Sequence, residues 1–213
     1  MRATGLAILC VSGTASAAPR LASHYAPMFE KGRAWTYDLS VTDFDYVEKP
    51  NGSMHAVKMK PRHSPFRCSV TNVVTFPEAV VATIHCDTEI DSDYAFRVDG
   101  MWVATTDGVF RAGGAEDTLP TSAKDINFAP PLIRANPKAA RAKRKTDYGG
   151  VLVEAVTSPA KGTWCTTADT TQYGAGDGAI TTECFQAGVG LASGVLDYHG
   201  GTPRIVEYKL TAK

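Results

Sequence analysis

The sequence predicts an all-β fold, with antiparallel hairpins forming a sandwich or a partly open barrel. Three observations predict it. Apolar and polar residues alternate with period two along much of the chain, the pattern of strands that bury one face. Turn dipeptides, among them Asn51-Gly52, Asp99-Gly100, Asp107-Gly108 and Gly200-Gly201, punctuate those runs. Two pairs of cysteines fall where hairpin registers bring them face to face, which adds two intra-hairpin disulfides to the prediction.

The elements follow in chain order. Arg2, the apolar stretch Ala3 to Val11 and Ala15-Ser16-Ala17 read as a secretory signal peptide over residues 1–17. Residues 18–213 then form a single β-rich domain, since no internal repeat, helix-period run or Pro/Ser-rich linker divides them. In AWTYDLSV, Trp35, Tyr37, Leu39 and Val41 share one face, opposite Thr36, Asp38 and Ser40. HAVKMK is a weaker strand with Val57 and Met59 set against Lys58 and Lys60, joined to the first across Pro50-Asn51-Gly52-Ser53.

RCSVTNVVTFPEAVVATIHC is a hairpin turning on Phe76-Pro77-Glu78. Its register pairs Val74 with Val80, Val70 with Ile84 and Cys68 with Cys86 on a common face. The two Asp-Gly turns imply a meander of three short strands, Tyr94 to Val98, Met101 to Thr106 and Val109 to Arg111. From about 112 to 148 the alternation fades into an irregular segment. VLVEAVTS restores a strand. WCTTADTTQYGAGDGAITTECF then pairs Cys165 with Cys184, Trp164 with Phe185 and Thr167 with Thr182, leaving Gln172 to Asp177 as the loop. A final hairpin across Gly200-Gly201 sets Asp197 against Arg204, Leu196 against Ile205 and Val195 against Val206.

Of the five cysteines, Cys10 lies within the signal, so Cys68, Cys86, Cys165 and Cys184 remain as an even set suited to an oxidising compartment. The 22 basic and 22 acidic residues cancel, so no global field draws the chain to nucleic acid or membrane.

Three local features could carry chemistry. The Gly174-to-Gly178 stretch is followed by a Thr-rich strand rather than a helix, so it reads as a hairpin tip and not a phosphate cradle. His85, Asp87, Glu89 and Asp91 alternate along one strand, a candidate metal-ligating set. Residues i and i+2 lie nearly 7 Å apart along a strand, so only two or three could converge without a neighbour's help. A solvated acidic face is the plainer alternative. Lys138, Arg141, Lys143, Arg144 and Lys145 form a basic run able to bind an anion or an acidic partner. No aromatic residue interleaves it, which argues against single-stranded nucleic acid. No catalytic residue set is identified: the histidines lack zinc-enzyme spacing and there is no nucleophile elbow.

GRAWTYDLSV, DGVFR, and Phe185 with Gly188-Val189-Gly190-Leu191 and the closing strand resemble segments of uncharacterised bacterial secreted proteins and lipoproteins. The resemblance covers about a quarter of the chain and implies an antiparallel, partly open barrel. It brings no functional residue. This chain departs from it by lacking a lipidation cysteine and by carrying the two expected disulfides and the basic run.

These readings lead to a secreted or periplasmic, non-enzymatic β-scaffold that binds a partner or ligand through loops or a barrel mouth. A protein or envelope component, or an apolar molecule such as a lipid, would be bound. No cofactor is called for, and no run is long and apolar enough for a transmembrane helix. One alternative is a metal-assisted hydrolase using the acidic strand 85–93. Another is a structural envelope-associated module without a ligand.

Overall fold

The computed structural model describes residues 21–87, 98–106, 108–111, 133–134, 142–148, 151–160, 162–169, 178–201 and 203–212. After a 3₁₀ turn at Ala26–Phe29 come β1 (Ala34–Glu48), β2 (Met54–Lys58), β3 (Arg62–Thr75) and β4 (Ala79–Asp87). Next are β5 (Gly100–Thr105), β6 (Gly108–Arg111), β7 (Ile133–Arg134), β8 (Ala142–Tyr148) and β9 (Val151–Ala160). The chain closes with β10 (Thr163–Asp169), β11 (Ala179–Gln186), β12 (Gly190–Tyr198) and β13 (Arg204–Ala212).

All pairings are antiparallel, in the order β7-β6-β5-β4-β3-β1-β13-β12-β11-β10-β9-β8, with β2 attached to β1 alone. The chain therefore leaves the middle of the sheet, walks to one edge, crosses to the other edge and walks back. That crossing forces curvature. A flat ladder of these strands would be about 50 Å wide at about 4.8 Å per neighbour. The seven residues between β7 and β8 span at most about 28 Å. The sheet curls accordingly into a half-barrel, and β7 at one edge approaches β9 near the other.

The concave face is the core. Trp35, Tyr37, Leu39 and Val41 of β1 are buried there with Phe66, Cys68 and Val70 of β3, Ile84 and Trp102, Phe185 of β11, and Val206 and Tyr208 of β13. Tyr37 stacks on Phe66 at 4.9 Å between centroids, and Tyr208 stands edge-on to both. A second apolar cluster lies on the outer face of β4 and β5, where Ala79, Val81, Met101 and Val103 pack with Phe76. The unbroken run Ala79-Val80-Val81-Ala82 is thus buried on both faces, as a continuously apolar strand requires.

Both predicted disulfides are present, Cys68–Cys86 and Cys165–Cys184. In β10–β11 every predicted pair occurs, and the hydroxyls of Thr167 and Thr182 lie 2.9 Å apart. Elsewhere the registers need correction. In β3–β4 the pairs Cys68–Cys86 and Val70–Ile84 stand, but a bulge between Val70 and Asn72 shifts the remainder by one residue. Val74 faces Val81 instead of Val80, and Val73 takes the inward position.

In the last hairpin, Leu196 pairs with Val206, Asp197 with Ile205 and Tyr198 with Arg204, one residue away from the two-residue-loop register. The longer loop keeps Leu196 and Val206 together on the buried face. Within the stretch read as irregular, Ile133–Arg134 and Ala142–Tyr148 form strands. Residues 1–20, positions 94–97 of the strand expected before the Asp99-Gly100 turn, and the Gln172-to-Asp177 loop lie outside the described residues.

Candidate functional site

One end of the half-barrel is closed by the 3₁₀ turn and by the turn between β11 and β12. Arg33, Trp35 and Tyr37, all inward-facing by period-two alternation, donate to carbonyls of that second turn and of the start of β12. Arg33 Nη2 reaches the Gly188 carbonyl at 3.1 Å, Trp35 Nε1 the Val189 carbonyl at 2.7 Å and the Tyr37 hydroxyl the Leu191 carbonyl at 2.8 Å. Two short motifs about 150 residues apart are therefore one structural unit, the side chains of Arg-Ala-Trp-Thr-Tyr holding the backbone of Gly-Val-Gly-Leu.

The turn is completed by Gly188 N–H donating to Ser23 O at 2.8 Å. Gly190 sits at φ +89°, and a β-carbon there would press on Met28. Beneath it Tyr25, Met28 and Phe29 fill the space against Trp35 and Leu191. His24 stacks flat on Trp164 at 3.9 Å and its Nε2 lies 3.0 Å from the Gly162 carbonyl. Burial pushes the pKa of the Tyr25 and Tyr37 phenols up, so both stay neutral across the physiological range.

Beside this plug runs a groove of about 410 Å³ lined by Gly32, Arg33, Ala34, Trp35, Thr36 and Arg67. Sequence reading did not single out Arg33 or Arg67. Their usable signal is weak, since Arg33 stands just before the alternating run of β1 and Arg67 is a lone arginine within β3.

At the opposite end of the paired part of β1, Asp43 accepts from Arg62 Nη2 at 2.7 Å and from Arg204 Nε at 2.6 Å. Burial is the largest single influence on its carboxyl and acts upward. The hydrogen bonds and charges of the two arginines together outweigh it, and the net pKa is lowered. A lowered native pKa stabilises the fold above the unfolded value of about 4 and loses that contribution as pH falls through the native value. Asp43→Asn is expected to cost about 1 kcal/mol at pH 7. Its urea midpoint should converge with that of the unaltered protein in acid below about pH 4. A gap that persists undiminished there would remove the ion-pair explanation.

The predicted metal set is only partly placed. His85 and Asp87 project from the outer face of β4, with His85 Nε2 3.3 Å from Asp87 and Nδ1 3.8 Å from Asp99. Asp99 comes from the turn before β5, a neighbour the alternation alone could not supply. Glu89 and Asp91 lie outside the described residues. Among the described residues no group of three or more His, Cys, Asp or Glu side chains is arranged to hold a metal ion. Of the basic run, Lys138 and Arg141 lie outside the described residues. Lys143, Arg144 and Lys145 fall on β8, opposite Val156, Ala155 and Glu154 of β9.

A further feature is a projecting arm. Beyond Asp43, β1 pairs only with β2, through Phe44–Lys58, Asp45–Val57, Tyr46–Ala56, Val47–His55 and Glu48–Met54. Lys49, Asn51, Gly52 and Ser53 close its tip by local hydrogen bonds, as the Asn-Gly signal predicts. Six large hydrophobic residues are exposed among the described residues, and five lie on or beside this arm: Tyr46, Val47, Met54, Val57 and Met59.

The fold and this geometry define a disulfide-stapled antiparallel half-barrel whose plugged end carries an arginine-lined groove. Among solved structures, the chain is similar to a crystallised Parabacteroides distasonis protein provisionally described as a lipoprotein, at 11% identity and a TM-score of 0.33, with 90% of this chain and 100% of that one covered. No protein-family model and no curated protein matches the chain. Among the described residues no helix is long and apolar enough to cross a membrane.

Proposed function

We propose that this protein is an exported β-scaffold that binds a protein partner through the β1–β2 arm. The observation that carries this reading is the concentration of exposed apolar side chains on a two-stranded projection. A sheet edge that is both apolar and without a further strand in the described ladder invites an added strand. Asp45, Glu48, Lys58 and Lys60 surround the apolar residues with mixed charge, which suits the polar rim of a protein interface. Export is supported by the two disulfides, which persist in oxidising compartments. Near the 3₁₀ turn the concave face is packed side chain against side chain, which favours binding at the surface over a ligand held there.

The test is photo-cross-linking in the native envelope with a photoreactive residue at Tyr46 or Met54, compared with the exposed positions Thr71 and Glu207. One protein adduct from the arm positions alone, lost in Val47→Thr/Val57→Thr, is the expected result. Equal adducts from all four positions, or none, would overturn the reading.

A further inference from the structure

We infer that Met54 and Met59 are oxidation sites that regulate the β1–β2 arm, a peroxide converting both thioethers to sulfoxides and so releasing the partner. This regulation rests on the arm being the partner-binding surface proposed above. The sequence holds five methionines. Of the four that the structure describes, Met28 and Met101 are 0% and 8% exposed and sit in the two apolar clusters. Met54 and Met59 are 58% and 48% exposed, and both stand on or beside β2. The exposed thioethers thus coincide with the surface that would meet a partner.

The register gives each face of the arm one of them. Cross-strand partners, and residues two apart along a strand, share a face. Tyr46 pairs with Ala56 and Glu48 with Met54, so Tyr46, Ala56 and Met54 lie together. Val47 pairs with His55, and Asp45 with Val57, on the other face. Met59 follows Val57 there, since its N–H donates to the Asp43 carbonyl at 2.9 Å and continues the register. Oxidation of both methionines therefore polarises both sides of a two-stranded projection.

The sulfur lone pair attacks one oxygen of the peroxide, and an S–O bond forms as the O–O bond breaks. The departing hydroxide takes the proton of the transferred oxygen and leaves as water. Sulfur is oxidised by two electrons and the peroxide is reduced by two, giving methionine sulfoxide. Sulfoxide reductases reverse the step, two thiols becoming a disulfide as the oxygen leaves as water. Cys68, Cys86, Cys165 and Cys184 are already paired, so these thioethers are the reduced sulfur most open to solvent among the described residues. A thioether adapts to an apolar contact, whereas a sulfoxide brings an acceptor oxygen that loses its water when the contact closes.

Peptide mapping by mass spectrometry, on the folded protein after graded hydrogen peroxide, tests the sites. Met54 and Met59 should each gain one oxygen about tenfold faster than Met28 and Met101. Equal rates at all four, or slower oxidation on the arm, would overturn the assignment.

Photo-cross-linking tests the consequence. Protein carrying a photoreactive residue at Tyr46 is oxidised, freed of peroxide and returned to the native envelope, so that only its own side chains are altered. The protein adduct should fall about tenfold and return after treatment with sulfoxide reductases. In Met54→Leu/Met59→Leu, scored against its own untreated yield, peroxide should leave the adduct unchanged. A full adduct from protein mapped as sulfoxide at both positions, or an equal fall in the leucine variant, would overturn the switch. No adduct before oxidation would overturn the partner reading and the switch with it, while the mapping alone decides the modification sites.

Discussion

Replacing Cys68 and Cys86 together by alanine is expected to destabilise the protein more than replacing Cys165 and Cys184. The two bridges close loops of almost equal length, 18 and 19 residues apart in sequence. Loop-closure entropy is therefore about 3 kcal/mol for each, and cannot distinguish them. Their surroundings can. Cys68 and Cys86 point inward, at 0% and 5% exposure, into the cluster that holds Val70 and Ile84. Cys165 and Cys184 point to the outer face and are half-buried.

Losing the inner sulfurs also leaves space in a packed core, which adds about 1 kcal/mol to the entropic loss. The total is about 4 kcal/mol against about 3 for the outer pair. Urea unfolding of both double variants, with slopes compared, measures the difference. Equal losses, or a larger loss for the outer pair, would contradict the assigned faces. Under mild reductant the outer bridge should also open first.

These two bridges illustrate why much of the fold was legible in the sequence. A hairpin register is a local property, fixed by alternation and turn chemistry, so Cys165–Cys184 brought Trp164–Phe185 and Thr167–Thr182 with it. The misreadings arose where an extra residue enters the ladder. The bulge after Val70 and the longer loop before Arg204 each shift a register by one, and burial of the apolar set decides between the alternatives.

The candidate sites were much less legible. Asp99 reaches His85 from a separate turn, and Arg33 meets the carbonyl of Gly188 across 155 positions. Such meetings depend on sheet curvature, which period-two patterning does not encode. The arm was visible only as a weak strand. That Val57 and Met59 stay exposed follows from β1 outrunning both of its neighbours.

Gly194→Ala is expected to be among the most damaging single substitutions in the chain, costing about 3 kcal/mol. Gly194 lies on β12 between Glu183 of β11 and Tyr208 of β13, and it is buried. A β-carbon there would fall within the Tyr208 phenol ring, against Cζ, Cε1 and the hydroxyl.

The ring has no easy retreat. It stands edge-on to Tyr37 and Phe66, and its hydroxyl donates to Glu183 Oε1 at 3.4 Å. Tyr208 thus crosses the β12 backbone to reach a carboxylate on the next strand but one, and glycine is the residue that lets it pass. Alanine would otherwise gain about 0.4–1 kcal/mol by restricting the unfolded chain, so the expected cost is net of that gain.

A double-mutant cycle isolates the cause. In a Tyr208→Ala background the Gly194→Ala change should be nearly neutral or slightly stabilising. In Tyr208→Phe it should remain costly, since Cζ and Cε1 stay in place. Tolerance of alanine at Gly194 with Tyr208 present, or an equal loss after Tyr208→Ala, would show that the ring does not occupy this crossing. The Phe background separates steric exclusion from the hydrogen bond to Glu183, because it removes the bond and keeps the ring.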